Sequence, residues 1–125
     1  MSTPQGTAWE TEVARYLQAQ GFDQARRSEG REGPKDHGDI AGFRRWALDC
    51  KDRAKMSLGS WVRQAEGEAR HSGKPLSAAI VKRRGGETSE ALVVMSLSTW
   101  VQLEKYLDAL SDTITERETQ WPFED

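Results

Sequence analysis

Six consecutive residues, Trp46-Ala47-Leu48-Asp49-Cys50-Lys51, constrain this 125-residue chain more than any other segment. Read as a strand, they place Leu48 and Cys50 on one face and Asp49 and Lys51 on the other, because side chains alternate across a strand. One face is apolar and belongs against a core. The other carries an acid and a lysine roughly 7 Å apart, projecting in the same direction. A second acid, Asp39 in Gly38-Asp39-Ile40, lies ten residues upstream. Two carboxylates and an ammonium group brought together in this way suit a divalent cation and a phosphate.

The rest of the chain supplies helices and strands around this segment. Residues 7–20 have Trp9, Val13, Tyr16 and Leu17 at helical spacing, with Thr7 as N-cap and Glu10 three residues on. A short strand is expected over 22–27, followed by a Gly-rich, charged loop over 28–38. Strands at 39–43 and 45–51 are expected to form a hairpin around a tight connection. A second helix follows near 60–71, with Gly73 and Pro75 as stop signals. Apolar runs at 78–81 and 92–97 read as buried or half-buried strands separated by Arg84-Gly85-Gly86. Ser98 or Thr99 then caps a helix through Leu110, Thr99 with Gln102 matching the capping-box spacing. Its apolar stripe is Trp100, Leu103, Tyr106, Leu107 and Leu110. The order αβββαββα predicts an α/β fold with a mixed sheet of four or five strands flanked by helices. One domain is expected over 1–110, with an acidic tail over 111–125 in which Trp121, Pro122 and Phe123 either dock or stay loose.

Charge is divided along the chain. Residues 1–84 hold 16 Lys+Arg against 11 Asp+Glu, a net of +5, and residues 85–125 hold 2 against 9, a net of −7. A basic body suits a polyanion, and an acidic end limits indiscriminate binding. Ordinary surface variation is the competing reading. The polar start from Ser2 to Gln5 carries no leader-like apolar run, and no stretch approaches a membrane span, so no membrane association is expected. A single cysteine, Cys50, precludes an internal disulfide and fits a reducing, cytoplasmic setting.

Several fragments in order form a pattern: Gly6-Thr7-Ala8-Trp9-Glu10-Thr11-Glu12-Val13, Gly21-Phe22, Arg27-Ser28, Gly38-Asp39-Ile40-Ala41 and Asp49-Cys50-Lys51. Together they span the first two thirds of the chain. This set resembles the PD-(D/E)xK nuclease superfamily, and within it the archaeal-type Holliday junction resolvases and their viral relatives. The resemblance implies a restriction-endonuclease-like core and a metal-dependent, structure-selective endodeoxyribonuclease that resolves four-way DNA junctions. By position, Asp39 and Asp49 are the implied metal ligands, Glu10 the carboxylate of the first helix and a third ligand, and Lys51 the catalytic lysine. Asp stands at 49 where the commonest form has Glu. The implied cofactor is Mg²⁺, with Mn²⁺ able to substitute, and the implied partners are branched double-stranded DNA and a second copy of the chain in a homodimer. Arg26, Arg27, Ser28, Arg31, Lys35, Arg53, Lys55 and Gln64 are the implied DNA contacts, with Arg44 and Arg45 nearby in sequence.

Other readings stand beside these. Asp49 and Lys51 can form an exposed charge pair, and Asp39 can simply shape the turn after Gly38. Asp36 in Pro34-Lys35-Asp36 is a second candidate ligand, and His37 beside it reads as a solvated loop histidine. His71 reads as a surface group at a helix C-terminus, Cys50 as core, and Gln64 as either a site residue or a surface amide. Trp9, Trp61 and Trp100 read as core or interface. Outside the resolvase reading lie another nuclease of the superfamily acting on duplex or branched DNA, a non-catalytic DNA-binding accessory protein, and a protein-interaction module.

Overall fold

The computed structural model describes residues 4–29 and 38–116. The elements are α1 (Pro4–Ala19), β1 (Arg26–Arg27), β2 (Ile40–Ala41), β3 (Trp46–Lys51), α2 (Leu58–Ser72), β4 (Leu76–Val81), a 3₁₀ turn (Thr88–Glu90), β5 (Leu92–Val94) and α3 (Leu97–Glu116). The protein is therefore α/β, with its helices and strands in the anticipated order. The chain forms two compact units, Met1–Met95 and Ser96–Asp125. Asp36, His37, Arg31, Lys35, Trp121, Pro122 and Phe123 lie outside the described residues.

The first unit is organised around β3 and β4, which run parallel in the register Trp46↔Leu76 through Lys51↔Val81. Parallel neighbours need a crossover, and α2 provides it. β5 joins the far edge of β4 antiparallel, giving the order β3-β4-β5. All six residues of central β4 are buried. Alternation then assigns the faces. Leu48, Cys50, Ala78 and Ile80 pack with Trp9, Val13 and Ala14 of α1, whereas Ala79 and Val81 pack with Trp61 of α2. The Trp9 indole Nε1 also donates to the Ile80 carbonyl at 3.0 Å, so this large core side chain leaves its polar atom satisfied.

Several boundaries depart from the sequence reading. α1 begins at Pro4, whose missing N–H is harmless in a first turn, so Thr7 lies inside the helix and is not its cap. α2 begins at Leu58 and ends, as anticipated, at Gly73, whose N–H donates to the Ala69 carbonyl. β5 stops at Val94, and its Leu92 and Val93 are exposed because a three-residue edge strand has nothing beyond it in the sheet. α3 is capped by Ser96, whose Oγ accepts the Thr99 N–H at 3.2 Å, and not by Ser98 or Thr99. It runs to Glu116, past Leu110, and Trp100, Tyr106, Leu107 and Leu110 of its apolar stripe are exposed.

The expected hairpin between 39–43 and 45–51 does not form. β2 pairs instead with β1, antiparallel, Arg26↔Ala41 and Arg27↔Ile40, as a separate two-stranded sheet. β3 meets the start of this segment in a parallel bridge, Gly38↔Leu48. Between β2 and β3 the chain turns over Phe43–Trp46, with the Trp46 N–H on the Phe43 carbonyl at 3.2 Å. Lys74 clamps the turn from below, its Nζ donating to the carbonyls of Phe43 at 3.1 Å and Trp46 at 2.9 Å. Partial burial lowers the Lys74 pKa from its usual 10.5. A Lys74→Met variant keeps the stem but removes both bonds. We expect it to destabilise the fold by about 1–3 kcal/mol in urea unfolding, and an unchanged midpoint would show the clamp to be idle.

Candidate functional site

Asp49 is carried by β3, which pairs with β4 along its whole length. On β3 it sits between Leu48 and Cys50, paired in register with Ala79, and is only 1 % exposed. Glu10, on the buried face of α1, is 5 % exposed. Carboxylates this far from water need neighbouring donors or cations, or they retain a proton. Asp39 reaches the same place from the residue before β2. Its N–H donates to the Leu48 carbonyl at 2.8 Å and its own carbonyl accepts the Ser28 N–H at 2.8 Å, so its backbone is stitched to both neighbouring segments. Its carboxylate Oδ2 accepts the Cys50 N–H at 2.7 Å, which fixes it against the Asp49–Cys50 peptide.

The electrostatics follow from this convergence. Burial pushes the Asp39 pKa from 3.8 up to about 7, against the pull of the Cys50 N–H. The negative fields of Asp49 and Glu10 push the same way, and Lys51 opposes them. Glu10, Asp49 and Lys51, drawn from α1 and β3, thus all bear on the Asp39 carboxylate. The alternative in which Asp39 only shapes a turn does not account for this. Cys50 is buried, and burial followed by the same acids pushes its thiol well above 9.0, so it is no thiolate nucleophile.

Lys51 closes β3 and projects towards α2, where its Nζ donates to Gln64 Oε1 at 2.9 Å. Gln64 is accordingly the hydrogen-bond partner that positions this lysine. On the open side lies a cleft of about 520 Å³ bordered by Lys51, Arg53, Lys55, Ser57, Ser60 and Gln64. Ser57 and Ser60 were missed in the sequence because each reads as an ordinary helix-start residue; their clustering with three cations is a product of the fold. Arg53 also borders a neighbouring recess with Gln5 and Arg84, where the Arg84 guanidinium pairs with Asp52 at 3.2 Å. The cleft sits at the carboxyl ends of parallel strands, the usual ligand position in open α/β sheets.

The remaining candidates divide. Arg27 pairs with Ile40, next to Asp39, and the Ser28 backbone bonds Asp39 directly. Arg26 borders a different cleft with Arg44 and Arg45, at the opposite end of β3. Exposed His71 lies in the last turn of α2.

Among the described residues, no group of three or more His, Cys, Asp or Glu is arranged to hold a metal ion. The donor chemistry nevertheless fits a hard divalent cation bound through few protein ligands. Asp39 and Asp49 offer only oxygen, Asp39 is anchored beside Asp49, and mutual repulsion there would be relieved by positive charge. Mg²⁺ characteristically takes one or two carboxylates and keeps several waters. Glu10 contributes its charge to the same group.

Gly38 makes the approach of Asp39 possible. It adopts φ +81°, and a Cβ there would lie 2.7 Å from the Leu48 carbonyl oxygen and 3.0 Å from the Leu48 nitrogen. Both obstacles are backbone, so the strand itself has to move. Gly38→Ala is expected to cost more than about 1 kcal/mol of stability and to displace Asp39. A variant with wild-type stability and an unchanged Asp39 titration by NMR would contradict this role.

No family model, curated protein or solved structure matches this chain.

Proposed function

We propose that this protein is a metal-dependent endodeoxyribonuclease of the PD-(D/E)xK type, built on a restriction-endonuclease-like core and acting on four-way DNA junctions. One observation carries the reading: the fields of Glu10, Asp49 and Lys51 converge on the Asp39 carboxylate, and Lys51 also lines a basic cleft. A binding protein for polyanions gains nothing from setting buried Glu10 and Asp49 and half-buried Asp39 close to its cationic surface, because each repels phosphate. A hydrolase does, since the acids hold a cation that reverses the local charge.

When bound at Asp39 and Asp49, a divalent cation supplies the Lewis acidity that polarises a phosphodiester and acidifies water. The chain's own groups do the rest. Arg53 and Lys55 draw the phosphate backbone into the cleft. Lys51, held by Gln64, places its ammonium where charge grows on the pentacovalent phosphorus. Asp39, raised to about 7 by burial without metal, would be held ionised as a ligand of the cation, its Oδ2 kept in place by the Cys50 N–H. Glu10 orients the attacking water from the α1 side.

The choice of a branched substrate rests on the resemblance of the motif set. Two symmetric cuts across a junction call for a two-fold homodimer with one site per subunit. Among the described residues, no helix is long and apolar enough to cross a membrane.

The test is cleavage of an end-labelled four-way junction in Mg²⁺, beside a linear duplex of matching sequence. The expected result is paired symmetric cuts in the junction and an intact duplex. Equal cutting of both would replace the resolvase reading with a less selective nuclease. Tight binding without cutting in Mg²⁺ or Mn²⁺ would overturn the enzyme.

A further inference from the structure

At the amino end of β3, five residues and about 16 Å along the strand from Lys51, lies a second cleft with different chemistry. It has a volume of about 510 Å³ and lies between the loop that follows α1 and the turn that leads into β3. Its lining includes Phe22, Phe43 and Trp46 together with Arg26, Arg44 and Arg45. We propose that this aromatic and arginine-lined cleft binds unpaired nucleotides, stacking a base on its rings and holding the adjoining phosphates with its arginines. The proposal goes beyond the cleavage reading and does not need a functional Asp39–Asp49 site.

Three features support it. Phe22 is presented to solvent, 49 % exposed even though it meets Phe43 edge to face with ring centroids 5.0 Å apart at 78°, and the half-buried Phe43 and Trp46 pack against the core behind it. A lone exposed aromatic means little, but three lining one recess offer a stacking platform. Next, the rim is cationic. Among the described residues Arg44 and Arg45 make no ion pair and are exposed, Asp23 being the single acid that borders the cleft. An apolar peptide or a neutral ligand would have no use for three guanidinium groups there.

Finally, the cleft is rigidly built. Lys74 pins the carbonyls of Phe43 and Trp46 from beneath, so the turn is set before any ligand arrives. Gly42, at φ +74°, lets the two walls meet, because a Cβ there would fall 1.9 Å from the Gln24 carbonyl oxygen. Preorganised walls reduce the ordering cost of binding.

The geometry favours single strands over duplex. Stacked bases inside a duplex cannot enter an aromatic recess, whereas an unpaired base has a free face for any ring, whatever its sequence. Arginine can add contacts both to phosphate and to the base plane. An unpaired nucleotide held here would sit about five base steps from a phosphate at Lys51, counted at the duplex rise. Gapped, flapped or forked DNA exposes such nucleotides, whereas a nick or an intact four-way junction keeps its bases paired.

The experiment uses the full chain and a short fluorescein-labelled oligothymidylate, followed by anisotropy without divalent ions. A matched probe carries abasic sites throughout. Wild type should bind oligothymidylate more tightly than the abasic strand. Phe22→Ala should weaken oligothymidylate binding about tenfold, leave the abasic probe unaffected, and keep its thermal midpoint because the ring is half exposed. Phe22→Tyr should retain wild-type affinity. Arg44→Gln with Arg45→Gln should flatten the slope of log K against log salt by about 1.4, at about 0.7 per phosphate contact on a single strand. Equal affinity of wild type for both probes, or an unaltered affinity in Phe22→Ala, would overturn the proposal. Oligothymidylate binding is read without divalent ions and junction cleavage with Mg²⁺, so a failure of the cleavage reading and a failure of this cleft are read separately.

Discussion

An Asp49→Asn variant is expected to lose junction cleavage by on the order of 10³-fold or more while still folding and binding DNA. The rate estimate follows from the several kcal/mol that a bound cation contributes to a phosphoryl transition state, at 1.36 kcal/mol per factor of ten. The retained fold follows from shape. Asn fills nearly the same volume between Leu48 and Cys50, and the β3–β4 ladder is formed by backbone groups that the change leaves intact. Binding should hold or tighten, because one negative charge is removed next to Lys51 and the basic cleft. Single-turnover cleavage with saturating protein, paired with anisotropy in the absence of divalent ions, separates the two effects. A variant that cuts within tenfold of wild type would remove Asp49 from the mechanism.

The second large effect concerns Asp39 and pH. Its folded-state pKa stands at about 7, against 3.8 as its ordinary value. Between those two values the folded chain holds a proton that the unfolded chain has released. The slope of unfolding free energy with pH is therefore negative for this group, and metal-free stability falls as pH rises through that window. The full loss is at most about 4 kcal/mol, from 1.36 kcal/mol per pKa unit, and it levels off above the folded pKa. Asp39→Asn removes the titration, so it should exceed wild type in stability at about pH 8 and differ little at about pH 4. Mg²⁺ should restore wild-type stability at the higher pH, since it favours the ionised carboxylate, and should do nothing for Asp39→Asn. Urea unfolding with chelator and with Mg²⁺, at both pH values, reads all of this. Parallel pH dependences for the two proteins would show that Asp39 does not carry the shift.

How far the sequence could be read depends on the range of the interaction involved. The alternation of Trp46–Lys51 is local, and Leu48 and Cys50 do face the α1 core while Lys51 faces α2. The periodicity of α2 and its glycine stop are local as well. β1 and β2 were different. Two-residue strands carry no detectable period, and their partners are set by contacts distant in sequence. A hairpin between neighbouring segments was the simplest expectation, yet Gly38 runs parallel to Leu48 and β2 turns to β1. The same antiparallel pair brings residues 22–26 beside 41–43, which is how Phe22 joins Phe43 and Trp46. No one of those aromatics is distinctive in the sequence.

Gln64 marks the boundary between the two kinds of knowledge. Its place on the helix after β3 was legible, but not the direction of its amide, which depends on how the crossover seats α2 against the sheet.

From residues alone came the αβββαββα order, the acid and lysine on one face of a strand, and the partition of charge into a basic body and an acidic end. All three follow from local periodicity or from counting. The tertiary structure alone decided that the fields of Glu10 and Asp49 reach Asp39, that burial raises its pKa to about 7, and that the aromatic cleft exists. Those properties depend on distance and local dielectric. Both are set by which segments pack together, and neither is written in the spacing of residues along a chain.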